Sequence, residues 1–181
     1  MSNGRTVSAL SHLVAIMALP FNVTIVIPAL LLYFFNYRTG WGLIPFVKVL
    51  VVTAGIIIIV AGFIILVATI KQFATQGKGT LAPWNPPKRL VVDGPYRYSR
   101  NPMISGVSLI LLGEVLVFGS IPLLIWFLYF TITNNIYIVK KEEPFLEDKF
   151  GIEYLEYKHN VPRIIPRRKP WIPDRNINRS D

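Results

Sequence analysis

The chain has no cysteine, which excludes a disulfide scaffold, a thiolate metal site and a cysteine nucleophile. Histidine is nearly as scarce. His12 and His159 are the only two, too far apart for a metal pair of ordinary spacing. Charge is thin as well. Asp, Glu, Lys and Arg make up 16% of the 181 residues, where a soluble domain carries about a quarter. Acidic residues number 10 against 19 basic ones, giving a net charge of +9. What fills the chain instead is apolar, 52% of it. That balance excludes an ordinary soluble domain and points to an integral membrane protein. In so apolar a chain the basic excess reads as loops facing anionic lipid, not as a nucleic-acid footprint.

The gaps between charges locate the spans. Between Arg5 and Arg38 lie 32 residues without Asp, Glu, Lys or Arg. Pro20 and Pro28 fall inside this stretch as kink points, and it predicts one span near residues 14–36. Between Lys48 and Lys71 lie 22 more, the clearest span in the chain. Between Arg100 and Lys140 lie 39 residues whose only charge is Glu114. As one helix these would reach about 58 Å, twice the ~30 Å hydrocarbon core, so the stretch predicts two spans. The break is expected at Phe118-Gly119-Ser120-Ile121-Pro122, because Gly ends helices and Pro starts them. The apolar run near the N-terminus is too long, and its flank too weakly charged, for a cleaved signal peptide. Four spans put both termini on one side, together with 17 of the 19 basic residues, and the positive-inside rule makes that side cytoplasmic.

Two polar segments then face the cytoplasm. Residues 71–101 contain Gly77, Gly79, Pro83, Pro86, Pro87, Gly94 and Pro95, which forbid a long helix. They also carry Phe73, Leu81, Trp84, Leu90, Val91, Val92, Tyr96 and Tyr98, an aromatic and aliphatic content that marks a functional loop. The Gly77-x-Gly79-Thr80 run lacks the strand and the Lys-Ser/Thr of a phosphate loop and reads as a turn. In residues 140–166, Phe145, Leu146, Phe150, Tyr154, Leu155 and Tyr157 recur at helical spacing, with Gly151 as a break. This predicts an amphipathic helix lying on the membrane surface or on the first loop. Residues 167–181 form a basic tail.

The string GPYRYSRNPMISG from Gly94 to Gly106, followed by KEEPFLEDKFGIEYLEYKHNVPRIIP, resembles the isoprenylcysteine carboxyl methyltransferase and phospholipid methyltransferase family. The resemblance covers residues 77–166. It implies an all-α integral membrane enzyme with about four transmembrane helices, divided as an N-terminal helix pair (1–70), a catalytic region (71–166) and a basic tail (167–181). It also implies S-adenosylmethionine as cofactor, held in a cytoplasmic pocket built by the 71–101 loop and the C-terminal amphipathic helices. By position, Leu90 and Val91 would flank the adenosyl part, while Tyr96 and the Asn101-Pro102-Met103-Ile104 run would line the pocket. Glu142 would sit where cofactor and acceptor meet, with Glu143 beside it, and Glu142 and Asn101 are the catalytic candidates. Three positions depart from the pattern. Asn101 stands for a family His and cannot titrate, Ile104 stands for a Tyr, and Ile138 stands where the prenylcysteine enzymes carry an Arg.

The chemistry is consistent with such a site. In-line displacement from a sulfonium needs alignment, a carboxylate and aromatic faces for the cation, and Arg or backbone N–H groups for the carboxylate tail. Glu142, Glu143, Tyr96, Tyr98, Arg97, Arg100 and Arg163 supply these groups, and no metal is required. The expected partners are membrane lipid and a lipidic or prenylated methyl acceptor. Rival readings are a phospholipid or amine N-methyltransferase, a sterol-reductase-type membrane reductase, and a non-enzymatic membrane scaffold. Glu114 is expected to make a structural hydrogen bond with a Thr or Asn of a neighbouring span. Asn134 or Asn135 either lines the cofactor or lipid channel or bonds between helices.

Overall fold

A computed structural model describes residues 19–35, 41–76 and 90–172, and among these residues every regular element is helical. Helix α1 spans Leu19–Phe35 and α2 spans Pro45–Gln76. Helix α3 spans Pro102–Phe118, and α4 spans Ile121–Tyr137. A π turn over Ile138–Glu142 carries α4 without a break into α5, Glu143–Phe150. Helix α6, Ile152–Asn160, folds back after Gly151, whose φ of +53° is open to glycine at little strain. The expectations on residues 77–89, 173–181 and 14–18 lie outside the described residues.

Among the described residues two helices are long and apolar enough to cross a membrane, Pro45–Gln72 and Ile121–Phe150, while Leu19–Phe35 and Pro102–Phe118 are shorter apolar helices. The long ones are not core helices of a soluble protein. Ile57 is 63% exposed, Ile64 61% and Ile125 61%, on surfaces that only an apolar solvent would favour. The predicted break in the apolar stretch between Arg100 and Lys140 is where the sequence put it. Gly119 ends α3 in the left-handed region (φ +59°), its N–H donating to the Val115 carbonyl, and Pro122 stands in the first turn of α4.

Helices α2 and α3 pack antiparallel through two glycine pairs seven residues apart. A methyl at Gly62 would stand 2.7 Å from the Gly106 carbonyl oxygen, and one at Gly55 would stand 2.9 Å from that of Gly113. In lipid there is no hydrophobic force to join helices, so this close approach, with its dispersion contacts, supplies the attraction. Around it Leu66, Val107, Ile110 and Leu111 form a core, covered by Val23, Ile70, Met103, Trp126, Phe127 and Phe130.

Helix α1 is held by a backbone irregularity that starts at Pro28. Residues Asn22–Val26 are π-helical, and Ile27 N–H reaches back five residues to the Asn22 carbonyl. Pro28 has no N–H, so in that register the Val23 carbonyl loses its intrahelical donor. The indole Nε1–H of Trp126 on α4 takes the place, 3.1 Å from the Val23 oxygen. The expected kink is therefore a π turn fastened to a neighbouring helix.

Candidate functional site

Where α4 leaves the apolar part of its path, after Val139, the chain reads Lys140-Lys141-Glu142-Glu143. Opposite it, the start of α3 is preceded by a short 3₁₀ turn over Gly94–Arg97 and by Ser99, Arg100 and Asn101. The chain before that turn places Leu90 and Val92 against Tyr154, Tyr157 and Val161 of α6 and its exit, together with Leu146, Phe150 and Trp171. The amphipathic helix thus packs on the first loop, and the Tyr157 hydroxyl donates to the Tyr96 carbonyl at 2.7 Å. Of the predicted apolar stripe, Phe145 and Leu155 lie outside this cluster, 47% and 50% exposed.

Glu143 is the hub of the site. It is buried, and three cations from three segments converge on it. Arg163 grips it with two bonds, Nε to Oε1 at 2.6 Å and Nη2 to Oε2 at 3.2 Å. Arg100 approaches Oε1 at 3.0 Å and Lys158 approaches Oε2 at 3.2 Å. Arg163 also donates to the Asn135 side-chain oxygen at 3.2 Å, so that asparagine bonds between segments. Arg100 further donates to the Val161 carbonyl and the Tyr154 hydroxyl. Burial raises the Glu143 carboxyl, but the bonds from Arg163, the Arg100 charge and Lys158 outweigh it and leave it below its ordinary value.

Glu142 is in the opposite state. It is half-buried and forms no ion pair among the described residues. Burial pushes its carboxyl up, the Glu143 charge adds to the rise, and Arg100 opposes it. Tyr96 lies close enough to feel that charge. Its hydroxyl is raised by burial first and by Glu142 second. Two adjacent carboxylates driven apart in this way are the usual mark of divided roles.

The remaining candidates fall in several places. Asn101 precedes α3, its N–H donates to the Arg163 carbonyl at 3.0 Å, and its side chain makes no capping bond. Pro102 is buried in the first turn of α3, and Met103 belongs to the cover of the Leu66–Leu111 core. Leu90 belongs to the Tyr154–Tyr157 cluster, and Val91 and Ile104 are half-buried. Arg100 and Arg163, expected to receive a carboxylate tail, are turned to Glu143. Arg97 is paired with Asp93 at 2.6 Å. Ile138, at the family's Arg position, is 2% exposed within the packing of the π turn. Glu114 does not make the expected bond through Oε2, which has no hydrogen-bond partner among the described residues. The Thr24 and Thr69 hydroxyls and the Asn134 amide bond carbonyls of their own helices. Among the described residues no cluster of His, Asp and Glu gathers as a metal site.

Sequence reasoning missed Lys158, Tyr154 and the pair Ser99–Ser105. The first two were legible only as the polar and apolar faces of one helix, and the serines carry no signal beyond their place beside Asn101.

A family model described as phospholipid methyltransferase matches residues 50–153. The chain belongs to the phospholipid methyltransferase family. The matched stretch runs from α2 into the first turn of α6. It includes Tyr96, Asn101, Glu142 and Glu143 and stops short of Lys158 and Arg163. No curated protein matches the chain. Membership makes it a membrane methyltransferase of the phospholipid and isoprenylcysteine type, and its apolar helices agree with that setting.

Proposed function

We propose that the chain is an S-adenosylmethionine-dependent methyltransferase of four spans, acting on a lipidic or prenylated acceptor, with Glu142 at the point of transfer. One observation carries the reading: Glu142 is a half-buried carboxylate with no ion pair among the described residues, beside Tyr96, in the π turn that follows α4. When bound, S-adenosylmethionine supplies a methyl group already activated on a cationic sulfonium. The residues present fit such a cation. Glu142 offers an uncommitted negative charge, Tyr96 a polar aromatic neighbour, and the Asn101 amide a donor and an acceptor not spent on capping. Leu90, Val91, Pro102, Met103 and Ile104 serve as apolar wall. Arg100, Glu143 and Arg163 lock that wall, tying the end of α4 to the first loop and to the chain after α6. The catalytic region is residues 71–166, the helix pair 1–70 supports it, and both termini lie in the cytoplasm.

In the first reading the acceptor is a prenylcysteine carboxylate. Its oxygen forms the new C–O bond as the C–S bond breaks, sulfur keeps the electron pair, and no base is needed. A second reading, N-methylation of a phospholipid or small amine, is favoured by two observations. Ile138 is packed in the core where the prenylcysteine enzymes carry Arg, and Glu142 is shifted towards holding a proton. An amine attacks only when neutral, and Glu142 then accepts its proton. Methyl transfer from labelled S-adenosylmethionine by the full chain in vesicles, offered a farnesylcysteine or phosphatidylethanolamine, tests both. Transfer to neither, with no binding of S-adenosylhomocysteine, overturns the proposal. Stabilisation by NADPH instead points to the reductase.

A further inference from the structure

After α6 the chain stays strapped to the bundle. The Arg163 carbonyl accepts from the Asn101 N–H and the Ser99 hydroxyl, each at 3.0 Å, and the Ile164 carbonyl accepts from the Ser105 hydroxyl. Further on, the Arg167 N–H donates to the Tyr98 carbonyl at 2.9 Å and the Trp171 N–H to the Arg97 carbonyl at 3.0 Å. Ser105 lies in the first turn of α3. The strap is therefore fixed at the depth where that helix enters the apolar layer.

A segment held this firmly would be expected to tuck its apolar side chains in, yet two of them point out. Ile165 is 79% exposed and Ile172 is 71% exposed, while Trp171 between them packs on Tyr157 with ring centroids 5.5 Å apart. Exposed Arg168 and Lys169 lie between the isoleucines and form no ion pair among the described residues. The neighbouring cations differ, because Arg163 is spent on Glu143 and Arg167 on the Asn160 carbonyl. Apolar tips flanking free cations at this depth complement one surface, the boundary between anionic headgroups and acyl chains.

We propose that residues 164–172 are an interfacial anchor, with Ile165 and Ile172 entering the acyl boundary and Arg168 and Lys169 holding anionic phospholipid headgroups. The anchor rests on the four-span reading, not on methyl transfer. Ile152 gives the contrast. It is also 79% exposed, but it follows Gly151 at the end of the helix that leaves the membrane, about 18 Å beyond Lys140, and so faces water.

The chain has no cysteine, so single cysteines report cleanly. The full chain, bimane-labelled in turn at Ile165→Cys, Ile152→Cys and the span position Ile125→Cys, is reconstituted in phosphatidylcholine vesicles with and without a quarter phosphatidylglycerol. Quenching is read with nitroxide lipids and with aqueous iodide. In the vesicles with phosphatidylglycerol the Ile165 label should behave as the Ile125 label does, quenched by lipid and shielded from iodide, and the Ile152 label should do the reverse. Phosphatidylglycerol should favour the lipid-contacting state by up to roughly 30-fold through two cations, and Arg168→Gln with Lys169→Gln should remove that gain. An Ile165 label that follows Ile152 while Ile125 reports lipid overturns the anchor and leaves the four spans standing. An Ile125 label open to iodide overturns both. Equal Ile165 quenching in the two vesicle types overturns the anionic-lipid assignment.

Discussion

Glu142 and Glu143 are neighbours in sequence with opposite electrostatics, and substitution should separate them. Glu143, held below its unfolded value by Arg163, Arg100 and Lys158, lends stability that is complete above the unfolded carboxyl pKa of about 4.3 and is lost as pH falls through its own lower value. Glu142, held above that value, opposes folding when ionised, and the penalty fades as pH falls through its raised pKa. Glu143→Gln strips the Arg163 and Arg100 guanidiniums of their carboxylate, while Lys158 keeps Glu147 at 2.5 Å, and should cost about 3 kcal/mol in thermal unfolding of the detergent-solubilised protein. Glu142→Gln should leave the melting temperature unchanged or higher. If Glu142 acts by its charge, S-adenosylhomocysteine affinity should fall in that variant. If it acts as base, affinity should hold while turnover drops roughly 10²–10⁴-fold. Full affinity and full turnover would remove Glu142 from the site. At Asn101 the absent capping bond makes a parallel prediction. Asn101→Ala should weaken S-adenosylhomocysteine binding by about 1–3 kcal/mol while stability holds, and Asn101→His should be tolerated. A loss of stability with unchanged affinity would make it a structural residue. The motif pointed to Glu142 and Asn101. It could not say that Arg100 and Arg163 are committed to Glu143, because ion-pair partners come from segments whose meeting is set by the fold.

The elements were legible to different degrees, for reasons that lie in their chemistry. Charge gaps, Gly119-Ser120-Ile121-Pro122 and Gly151 announce helix limits, because charge and φ > 0 are local properties. The π turns and the α2–α3 register were not legible, since each depends on a partner helix. At Gly62 the partner sets the sign of a mutation. Gly→Ala inside a helix normally stabilises by about 1 kcal/mol. Here the methyl would meet the Gly106 carbonyl at 2.7 Å and the Ile110 nitrogen at 2.9 Å. Gly62→Ala should therefore destabilise by about 1–3 kcal/mol, read as a lower melting temperature. A rise would mean that the helices do not approach as described. Trp126→Phe keeps the ring and removes the donor to Val23. It should cost about 1–2 kcal/mol, and an unchanged melting temperature would mean the Val23 carbonyl finds another donor.

For the whole molecule the decisive quantity is where charge lies relative to the spans. Among the described residues, the segment before α3 is joined to the end of α4 and to the chain after α6 through Glu143 and through the strap on Ser99–Ser105. That contact puts the start of α3 and the end of α4 at one end of the bundle, so under the proposed four-span reading α3 and α4 form a hairpin that crosses and returns. The same logic sets α2, which is antiparallel to α3, with its Gln76 end on that shared side and its Pro45 end on the other. Under the proposed four-span topology only Arg38 and Lys48 of the 19 basic residues fall opposite, and the positive-inside rule then predicts that the crowded side is cytoplasmic. The first span is the step the pairing does not fix, and thiol labelling reads it. In intact cells, single cysteines at Gly4 and at Ile152 should resist an impermeant maleimide until the membrane is permeabilised, while one at Gly42 should react at once. Protection at Ile152 with reaction at Gly4 would mean three crossings and would put the helix Leu19–Phe35 in the plane of the interface. Reaction at Ile152 in intact cells would invert the molecule and set the Glu142 site on the wrong face for a cytoplasmic methyl donor.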